Sequence, residues 1–242
     1  MTTAQLDWLY STHLDGMVQA RAVYENVRVF SVMARETRSR SGAELRLPAD
    51  GTRLWIWSDL HFDDERIWWT VKRPFPSLRE MNQGLRARWR EAVAPGDIVV
   101  CAGDLGGRRA FLGRWQPPCV DLPGRKVIVL GNHDFTRFRC RERPLGADVS
   151  SMTLLIRSDP PLLVTHVPLV AVPAGCVNVH GHTHDFKPLE PGPWINVSVE
   201  QTDYRPLEVR TEVLPLARAL VRGRIPAGDK TIDRIRRVIP SN

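Results

Sequence analysis

The sequence has little lysine, no closely spaced cysteines and no long apolar segment. Only four of its 34 basic residues are lysines, so arginine carries most of the formal charge of +7. The cysteines at 101, 119, 140 and 176 form no C-x-x-C pair, which argues against a zinc ribbon or a dense disulfide framework and favours a reducing cytosol. No apolar run reaches the roughly 18–20 residues that cross a bilayer, so we expect no membrane partner.

What is present indicates an ordinary globular protein. The chain has 242 residues, of which 43% are hydrophobic and 25% charged, values that suit one large domain or a domain with a small extension. Residues 1–20 lack the basic start and apolar core of a secretory signal. We therefore expect a cytoplasmic protein. The sequence leaves its oligomeric state open.

Residues 1–50 differ in pattern from the rest of the chain. Apolar residues recur there at spacings of three to five, which predicts one or two amphipathic helices. A polar stretch over 35–42 and a turn over 47–51 follow. We therefore predict a helical N-terminal extension over residues 1–50 and a main domain over residues 51–242.

The main domain begins with a β-α-β pattern. The runs 54–57, 98–101 and 127–130 are short, apolar and without strict alternation, as in strands buried on both faces. Between the first two, apolar residues from 78 to 89 follow a helical spacing, and Ser77 with Glu80 forms a capping box. Further runs at 153–156, 162–165, 176–179, 194–197 and 207–210 predict strands, and helices are expected around 213–223 and 229–239. The fold class is α/β with mixed sheets.

Polar side chains with metal-binding capacity follow five of these strands. Because ligands bind outside the carboxyl ends of strands in α/β sheets, we expect these side chains to converge on one crevice. The mixture of carboxylate, amide and imidazole suits Mn²⁺, Fe²⁺ or Zn²⁺ better than Ca²⁺. The set exceeds what one ion can use, which favours two ions bridged by Asp104. The candidates are Asp59, His61, Asp104, Asn132, His133, Asp134, His166, His180, His182 and His184.

Local spacing gives a reason for several of these positions. Asp59 and His61 are two residues apart, so in extended chain both side chains leave the same face, and the same holds for His182 and His184. Glycines at 103, 131 and 181 directly precede candidates. There we expect sharp turns or a close approach of backbone to a ligand.

The ordered blocks D-x-H, G-D, G-N-H-D, a lone His and G-H-x-H resemble the calcineurin-like binuclear metallophosphoesterase superfamily. The resemblance runs from Asp59 to His184 and extends to Arg73–Asn82, Asn196–Glu200 and Tyr204–Pro206. These segments are similar to a small bacterial and phage subfamily of predicted phosphoesterases. The resemblance implies a sandwich of two mixed β-sheets flanked by helices. The helical extension predicted over residues 1–50 lies outside the resemblance.

The resemblance also implies a site, residue by residue. One metal ion would be held by Asp59, His61, Asp104 and His184, and a second by Asp104, Asn132, His166 and His182. The expected ions are Mn²⁺ first, with Fe²⁺, Zn²⁺ or Ni²⁺ as alternatives. His133 is implied as the catalytic residue that faces the leaving-group oxygen. Asp134 is the second catalytic candidate, and it either orients His133 or caps the following segment.

The sequence departs from the family pattern in two places, and the first argues against a phosphoprotein substrate. The G-D-x-V-D-R-G block of protein Ser/Thr phosphatases is absent, since Gly103–Gly107 reads G-D-L-G-G. Asp63 and Asp64 replace a Gly-His pair of related sequences, and we expect both aspartates to be solvated loop residues. The tryptophans at 55, 57, 68, 69 and 89 are expected in the core, and His180 beside the ligands in a supporting role.

The resemblance implies hydrolysis of a phosphate ester, a phosphodiester or phosphomonoester, by attack of a metal-bridging hydroxide. The expected substrate is a small molecule or a nucleotide. A nuclease with the same site is the alternative, since residues 205–239 hold nine basic and four acidic residues and such a tail could follow a phosphate backbone. A catalytically silent interaction module is a third reading, against which the complete ligand set argues.

Overall fold

The computed structural model describes residues 43–106, 118–135, 147–149, 153–169, 171–185, 192–224, 226, 228 and 230–239. Within these ranges two five-stranded sheets and five α-helices are formed. The predicted helices of residues 1–42 lie outside the described residues, and so does Gly107. No helix of the described residues is long and apolar enough to span a membrane.

The β-α-β pattern at the start of the main domain is confirmed. Strand β2 (Leu54–Trp57) and strand β3 (Ile98–Cys101) are parallel neighbours. Helix α2 (Leu78–Ala92) connects them, after the short helix α1 (Glu65–Thr70). The hydroxyl of Ser77 accepts a hydrogen bond from the Glu80 amide and donates one to its carboxylate, so the N-terminus of α2 is fixed by the predicted capping pair.

The first sheet carries the strand order β10-β2-β3-β4-β5. Strands β4 (Arg125–Ile128) and β5 (Ala147–Val149) run parallel to β3, and β10 (Leu207–Glu208) runs antiparallel to β2. Four strands thus point the same way, and their carboxyl ends meet at one edge. The short helix α3 (Asn132–Phe135) begins just beyond β4 at that edge.

The second sheet has the order β1-β6-β7-β8-β9. Its strands are β1 (Ala43–Arg46), β6 (Thr153–Arg157), β7 (Leu162–Thr165), β8 (Val177–His180) and β9 (Trp194–Asn196). Only the β6–β7 pair is antiparallel. Each sheet is therefore mixed, as expected.

Alternation along β2 explains how the layers stack. Leu54 and Ile56 face the core between the two sheets, whereas Trp55 and Trp57 face the outer core under α2. In the outer core the rings of Trp57 and Trp89 meet edge to face with centroids 5.4 Å apart, a favoured aromatic geometry. Four of the five tryptophans expected in the core pack there, but Trp69 is 76% exposed because it lies on the solvent side of α1.

The C-terminal part differs in detail from the prediction. After only two residues of β10 the chain enters a π-helical turn over Val209–Val213, because Glu208 caps the Thr211 amide and ends the strand. Helices α4 (Leu214–Val221) and α5 (Thr231–Val238) follow, near the predicted positions. Ile232 and Ile235 of α5 are buried in the core between the sheets.

Residues 43–46 do not continue a helical segment. They form the edge strand β1, paired in parallel with β6, so this part of the predicted extension belongs to the second sheet. The rest of the extension over residues 1–42 stays a prediction.

Candidate metal centre

The candidate residues meet at one edge of the sandwich. They follow the carboxyl ends of β2, β3, β4, β7 and β8, and the two sheets are joined there by a parallel bridge between Ser58 and Ser198. Every predicted candidate lies among the described residues and all of them are buried or half-buried. The arrangement follows from topology, because parallel strands place their carboxyl ends together.

Five candidates adopt left-handed backbone conformations, which are uncommon for residues other than glycine. The φ angles are 59° for Asp59, 48° for His61, 54° for Asp104, 69° for His182 and 48° for His184. The expectation of extended chain at these pairs is therefore wrong, since the loops turn sharply after each strand. Such conformations cost free energy and concentrate at functional sites.

Glycine is required where the loops pack against one another. A Cβ at Gly181 would overlap Ser58 Oγ and Asp59 Oδ2, and one at Gly103, where φ is +99°, would overlap the ring of His166. The close contacts at these glycines are therefore with side chains of the site, and the predicted approach of backbone to a bound ion or phosphate stays a prediction.

The first cluster, the Asp59 subsite, consists of Asp59, His61 and His184. Asp59 Oδ1 lies 3.9 Å from His61 Nε2 and 3.8 Å from His184 Nε2. The other carboxylate oxygen, Oδ2, accepts hydrogen bonds from the His182 amide at 2.9 Å and the Ser198 hydroxyl at 2.9 Å. Asp59 is thereby oriented so that Oδ1 faces the two imidazoles.

The second cluster, the Asn132 subsite, consists of Asn132, His166 and His182. Asn132 Oδ1 lies 3.1 Å from His166 Nε2 and 3.1 Å from His182 Nδ1. Asn132 sits on the first turn of α3, which the G-N-H-D block forms directly after β4.

Asp104 lies between the two clusters. Its Oδ2 is 3.5 Å from His61 Nε2 and 3.2 Å from His166 Nε2, while its Oδ1 accepts a hydrogen bond from the His133 amide at 2.8 Å. A single carboxylate oxygen therefore faces one imidazole of each subsite.

The donor set fits divalent ions. Among the described residues, Asp59 Oδ1 and His61 Nε2 are buried atoms that have no hydrogen-bond partner. Such atoms are costly in a protein interior unless another group binds them. Three overlapping groups have ligand atoms close enough to hold an ion: Asp59 with His61 and His184, His61 with Asp104 and His133, and Asp104 with His166 and His182.

Charge coupling across the cluster is strong. Burial by itself raises the pKa of Asp59, but His184 and His166 hold that pKa at about 2. Burial lowers the pKa of His61 to about 4 and that of His182 to about 3. For His166, burial is outweighed by the Asp104 carboxylate, and the pKa rises to about 10. The Asp59 carboxylate is therefore ionised at neutral pH.

The two candidates in the G-N-H-D block differ in exposure. The side chain of His133 is 30% exposed, and its ring meets that of His61 edge to face with centroids 4.8 Å apart. Asp134 is fully buried and accepts hydrogen bonds from the amides of Asp104, Leu105 and Gly131 at 2.7–3.0 Å. Burial, reinforced by Asp104, raises the pKa of Asp134 to about 6. Asp134 thus holds the loop that carries Asp104.

Asp64 is a site residue that the sequence reading missed. It is not solvated: only 9% of it is exposed. Its Oδ2 lies 3.1 Å from His61 Nδ1 and 3.7 Å from His133 Nδ1, and its Oδ1 caps α1 at the Ile67 amide. Burial raises the pKa of Asp64, but the His61 hydrogen bond outweighs it and holds the pKa at about 2. The neighbouring Asp63 is exposed, as expected.

Arg73 and Glu200 form a second missed feature. They are 127 residues apart, both buried, and joined by a hydrogen bond of 2.9 Å from Arg73 Nε to Glu200 Oε1. Arg73 also donates to the carbonyl oxygens of Asp59 and Leu60, and Glu200 Oε1 lies 3.1 Å from His184 Nδ1. Both residues fall in segments that carry the family resemblance, which was the available signal for them.

Comparison with known proteins decides the family. A sequence profile described as calcineurin-like phosphoesterase matches residues 52–215. The chain belongs to this family. Its members are binuclear, metal-dependent hydrolytic phosphoesterases, so the expected family is confirmed.

Individual relatives are distant. An uncharacterized protein of Methanocaldococcus jannaschii is 27% identical over 164 residues, which cover 65% of this chain and 87% of the relative. The gene 66 protein of Mycobacterium phage D29 is 28% identical over 163 residues, covering 55% of this chain and 79% of the phage protein.

A crystal structure confirms the sandwich. A protein of unknown function from Aquifex aeolicus superposes with a TM-score of 0.52 at 21% identity, over 66% of this chain and 97% of the Aquifex chain. At that identity the likeness concerns the fold alone.

Proposed function

We propose that this protein hydrolyses a phosphodiester or phosphomonoester bond of a small molecule or nucleotide. The observation that carries the proposal is the position of Asp104 Oδ2, which faces His61 on one side and His166 on the other. One oxygen shared by two ligand clusters is the arrangement that two closely spaced divalent ions require.

The proposed ligands are divided between two ions. The Asp59 subsite would hold one through Asp59, His61 and His184, the Asn132 subsite would hold the other through Asn132, His166 and His182, and Asp104 would contribute to both. The mixed oxygen and nitrogen donors suit Mn²⁺, and they are also compatible with Fe²⁺, Zn²⁺ or Ni²⁺.

The remaining residues support the reaction around those ions. When bound, two such ions supply an activated water and neutralise the phosphate. His133, half-exposed beside His61 and Asp104, donates a proton to the departing oxygen or stabilises charge on the phosphoryl oxygens. Positioned acid catalysis of this kind contributes about 10²–10⁴-fold. Asp134 acts as a positioning residue, because its carboxylate holds the amides of the Asp104 loop.

Ion pairs within the basic C-terminal segment favour a small substrate over nucleic acid. Several of its cations contact acidic groups of the protein: Arg205 pairs with Glu212, and Lys230 and Arg236 both contact Asp203. Cations in such pairs contribute less to a phosphate-binding track than free ones do. A nuclease with the same site is the alternative that the assay below separates.

A cytoplasmic location belongs to the same proposal. It is supported by the free thiols of Cys101, Cys119 and Cys176, which suit a reducing compartment.

The test is Mn²⁺-dependent turnover of a generic phosphodiester and a generic phosphomonoester, with single-stranded and duplex DNA in parallel. We expect hydrolysis of at least one small ester that needs added metal and is abolished by a chelator. DNA cleavage with a steep salt dependence would instead identify a nuclease. Absence of turnover on all four substrates, with two Mn²⁺ bound per chain, would favour the silent interaction module.

A further inference from the structure

The two subsites differ in what lies behind their histidines. Each metal-facing imidazole has a second ring nitrogen or a backbone contact that fixes its orientation. The partner of that second nitrogen sets the tautomer, the ring direction and the basicity of the ligand.

In the Asp59 subsite both imidazoles are backed by buried carboxylates. His61 Nδ1 lies 3.1 Å from Asp64 Oδ2, and His184 Nδ1 lies 3.1 Å from Glu200 Oε1. With Nδ1–H donated to a carboxylate, the lone pair on Nε2 of each ring faces Asp59 Oδ1. The subsite thus combines its own carboxylate with two more directly behind its imidazoles.

In the Asn132 subsite, among the described residues, no carboxylate is hydrogen-bonded behind either imidazole ring. His166 Nδ1 donates to the carbonyl oxygen of Ala102 at 2.8 Å. The ring of His182 turns Nδ1 itself toward Asn132 Oδ1, and the residue is held through its amide, which donates to Asp59. The ligand particular to this subsite, besides the imidazoles, is an uncharged amide.

Arg73 offsets part of the negative charge at the Asp59 subsite, but this subsite still has more carboxylates around its imidazoles than the Asn132 subsite has. Its guanidinium contacts Glu200 Oε1, the same oxygen that faces His184 Nδ1, and it also donates to the carbonyl oxygens of Asp59 and Leu60. It therefore fixes the loop between Asp59 and His61 as well as the carboxylate behind His184. The bridging Asp104 and its support, Asp134, are common to both subsites and do not distinguish them.

We propose that the two subsites bind divalent ions with unequal affinity, and that Asp64 and Glu200 are the positioning residues that make the Asp59 subsite the tighter one. The proposal rests on the metal centre of the proposed function. A carboxylate behind a ligating imidazole raises its basicity, and loss of such a partner weakens metal binding by about 10–100-fold. At low free metal the protein then holds one ion, and the Asn132 subsite fills as the concentration rises.

The test is a titration of the metal-free protein with Mn²⁺. Binding is measured by calorimetry and by the electron paramagnetic resonance signal of unbound Mn²⁺. We expect two classes of site separated by at least about tenfold. Asp64→Asn and Glu200→Gln each weaken the tight class by about 10–100-fold and leave the weak class within a few-fold. Asn132→Ala removes the weak class and leaves the tight class in place.

Asp63→Asn is the matched control, because it removes a neighbouring carboxylate that is exposed and bonded to Asn82. Both classes should keep their affinities in this variant. Asp64 does not contact Arg73, so Asp64→Asn tests the proposal even where Glu200→Gln leaves Arg73 without a partner and unfolds. Circular dichroism of each metal-free variant identifies that case.

The outcomes separate the two proposals. Two sites of equal affinity, or loss of the tight class in Asn132→Ala, overturn the inequality and leave the proposed function standing. Failure of the wild-type protein to bind Mn²⁺, Fe²⁺, Zn²⁺ or Ni²⁺ overturns the proposed function itself.

Discussion

Two buried aspartates, Asp97 and Asp59, lie at opposite ends of the parallel pair of strands β2 and β3. Asp97, just before β3, accepts hydrogen bonds from Trp55 Nε1 at 2.9 Å, the Ala94 amide at 2.9 Å and the Arg53 amide at 3.2 Å. Asp59, just after β2, leaves Oδ1 buried and without a hydrogen-bond partner among the described residues. The carboxylate of Asp97 is bonded within the fold, whereas Asp59 Oδ1 is the oxygen that would bind one of the proposed ions.

The comparison shows that a buried carboxylate can have a structural or a functional role, depending on whether its oxygens are hydrogen-bonded within the protein. A buried polar atom with all its bonds made stabilises a loop, and one left unpaired lowers stability unless a ligand binds it. The five left-handed candidates and the close contacts of Gly103 and Gly181 likewise lie at the Asp59 end, although Gly124 packs closely against Asp97 at the other end. Three substitutions test this contrast.

The largest effect is expected for Asp104→Asn. Loss of the shared carboxylate should cost more than the about 10–100-fold in metal affinity that a supporting partner contributes, and turnover should fall with it. The measurements are bound metal per chain and hydrolysis of the ester that the substrate assay identifies. Saturating Mn²⁺ should raise the free energy of unfolding of the wild-type protein by about 2.7 kcal/mol at 100 times the dissociation constant, and by much less in this variant.

Asp97→Asn is the matched comparison, since Mn²⁺ should raise its free energy of unfolding by as much as it does in the wild-type protein. If Asp104→Asn retains two ions and full turnover, the bridging role assigned to Asp104 is incorrect.

His133→Ala should lower turnover by about 10²–10⁴-fold while two ions remain bound. The physical reason is that His133 faces the site from a half-exposed position and is not required to complete either subsite. Steady-state kinetics and metal analysis on the same sample measure both quantities. Loss of an ion in His133→Ala would instead make His133 a ligand.

The smallest effect is expected for Asp97→Asn, at the end of the strands away from the candidate site. Asp97→Asn places an NH₂ group against donors, which should lower the free energy of unfolding by about 1–3 kcal/mol without changing turnover per folded molecule. Denaturant unfolding of the metal-free protein measures it. The exposed Asp121→Asn, which removes ion pairs with Arg86 and Arg90, is the control and should cost less than about 1 kcal/mol.

The loss of stability in Asp97→Asn should depend on pH. Burial raises the pKa of Asp97, but hydrogen bonds from Ala94 and Trp55 outweigh it, so the pKa lies below the usual 3.8. A lowered folded-state pKa contributes stability above pH 3.8 that is lost as the pH falls through the folded value. The difference between wild type and Asp97→Asn should therefore be full at neutral pH and shrink in acid. A difference that stays constant down to about pH 3 would contradict this account.

Much of the fold was predictable from local pattern. Helix α2 and its Ser77 cap, and the strands β2 and β3, lie where periodicity placed them, because their apolar faces and caps are encoded within a few residues. Boundaries were less predictable: β4 spans Arg125–Ile128 rather than 127–130. The charged residues Arg125 and Lys126 pair in the sheet despite their polarity, because sheet registry with β3 overrides the apolar pattern.

The candidate site was predictable as a set of residues and not as a geometry. The ordered blocks named every ligand candidate, since each lies directly after a strand. The left-handed turns at Asp59 and His61, the burial of Asp64 and the pair of Arg73 with Glu200 depend on contacts between distant segments. Spacing along the chain carries no record of these contacts.

By itself, the sequence determined the chemistry available to this protein: which carboxylates, imidazoles and amide occur, in what order, and at the ends of which strands. The tertiary structure decided how those groups are used. Among the described residues, it leaves Asp59 Oδ1 and His61 Nε2 unpartnered and places carboxylates behind one pair of histidines but not the other. It also sets Asp104 between the subsites. The physical reason is that pairing, burial and charge are properties of distances between segments, and those distances are fixed only when the two sheets pack together.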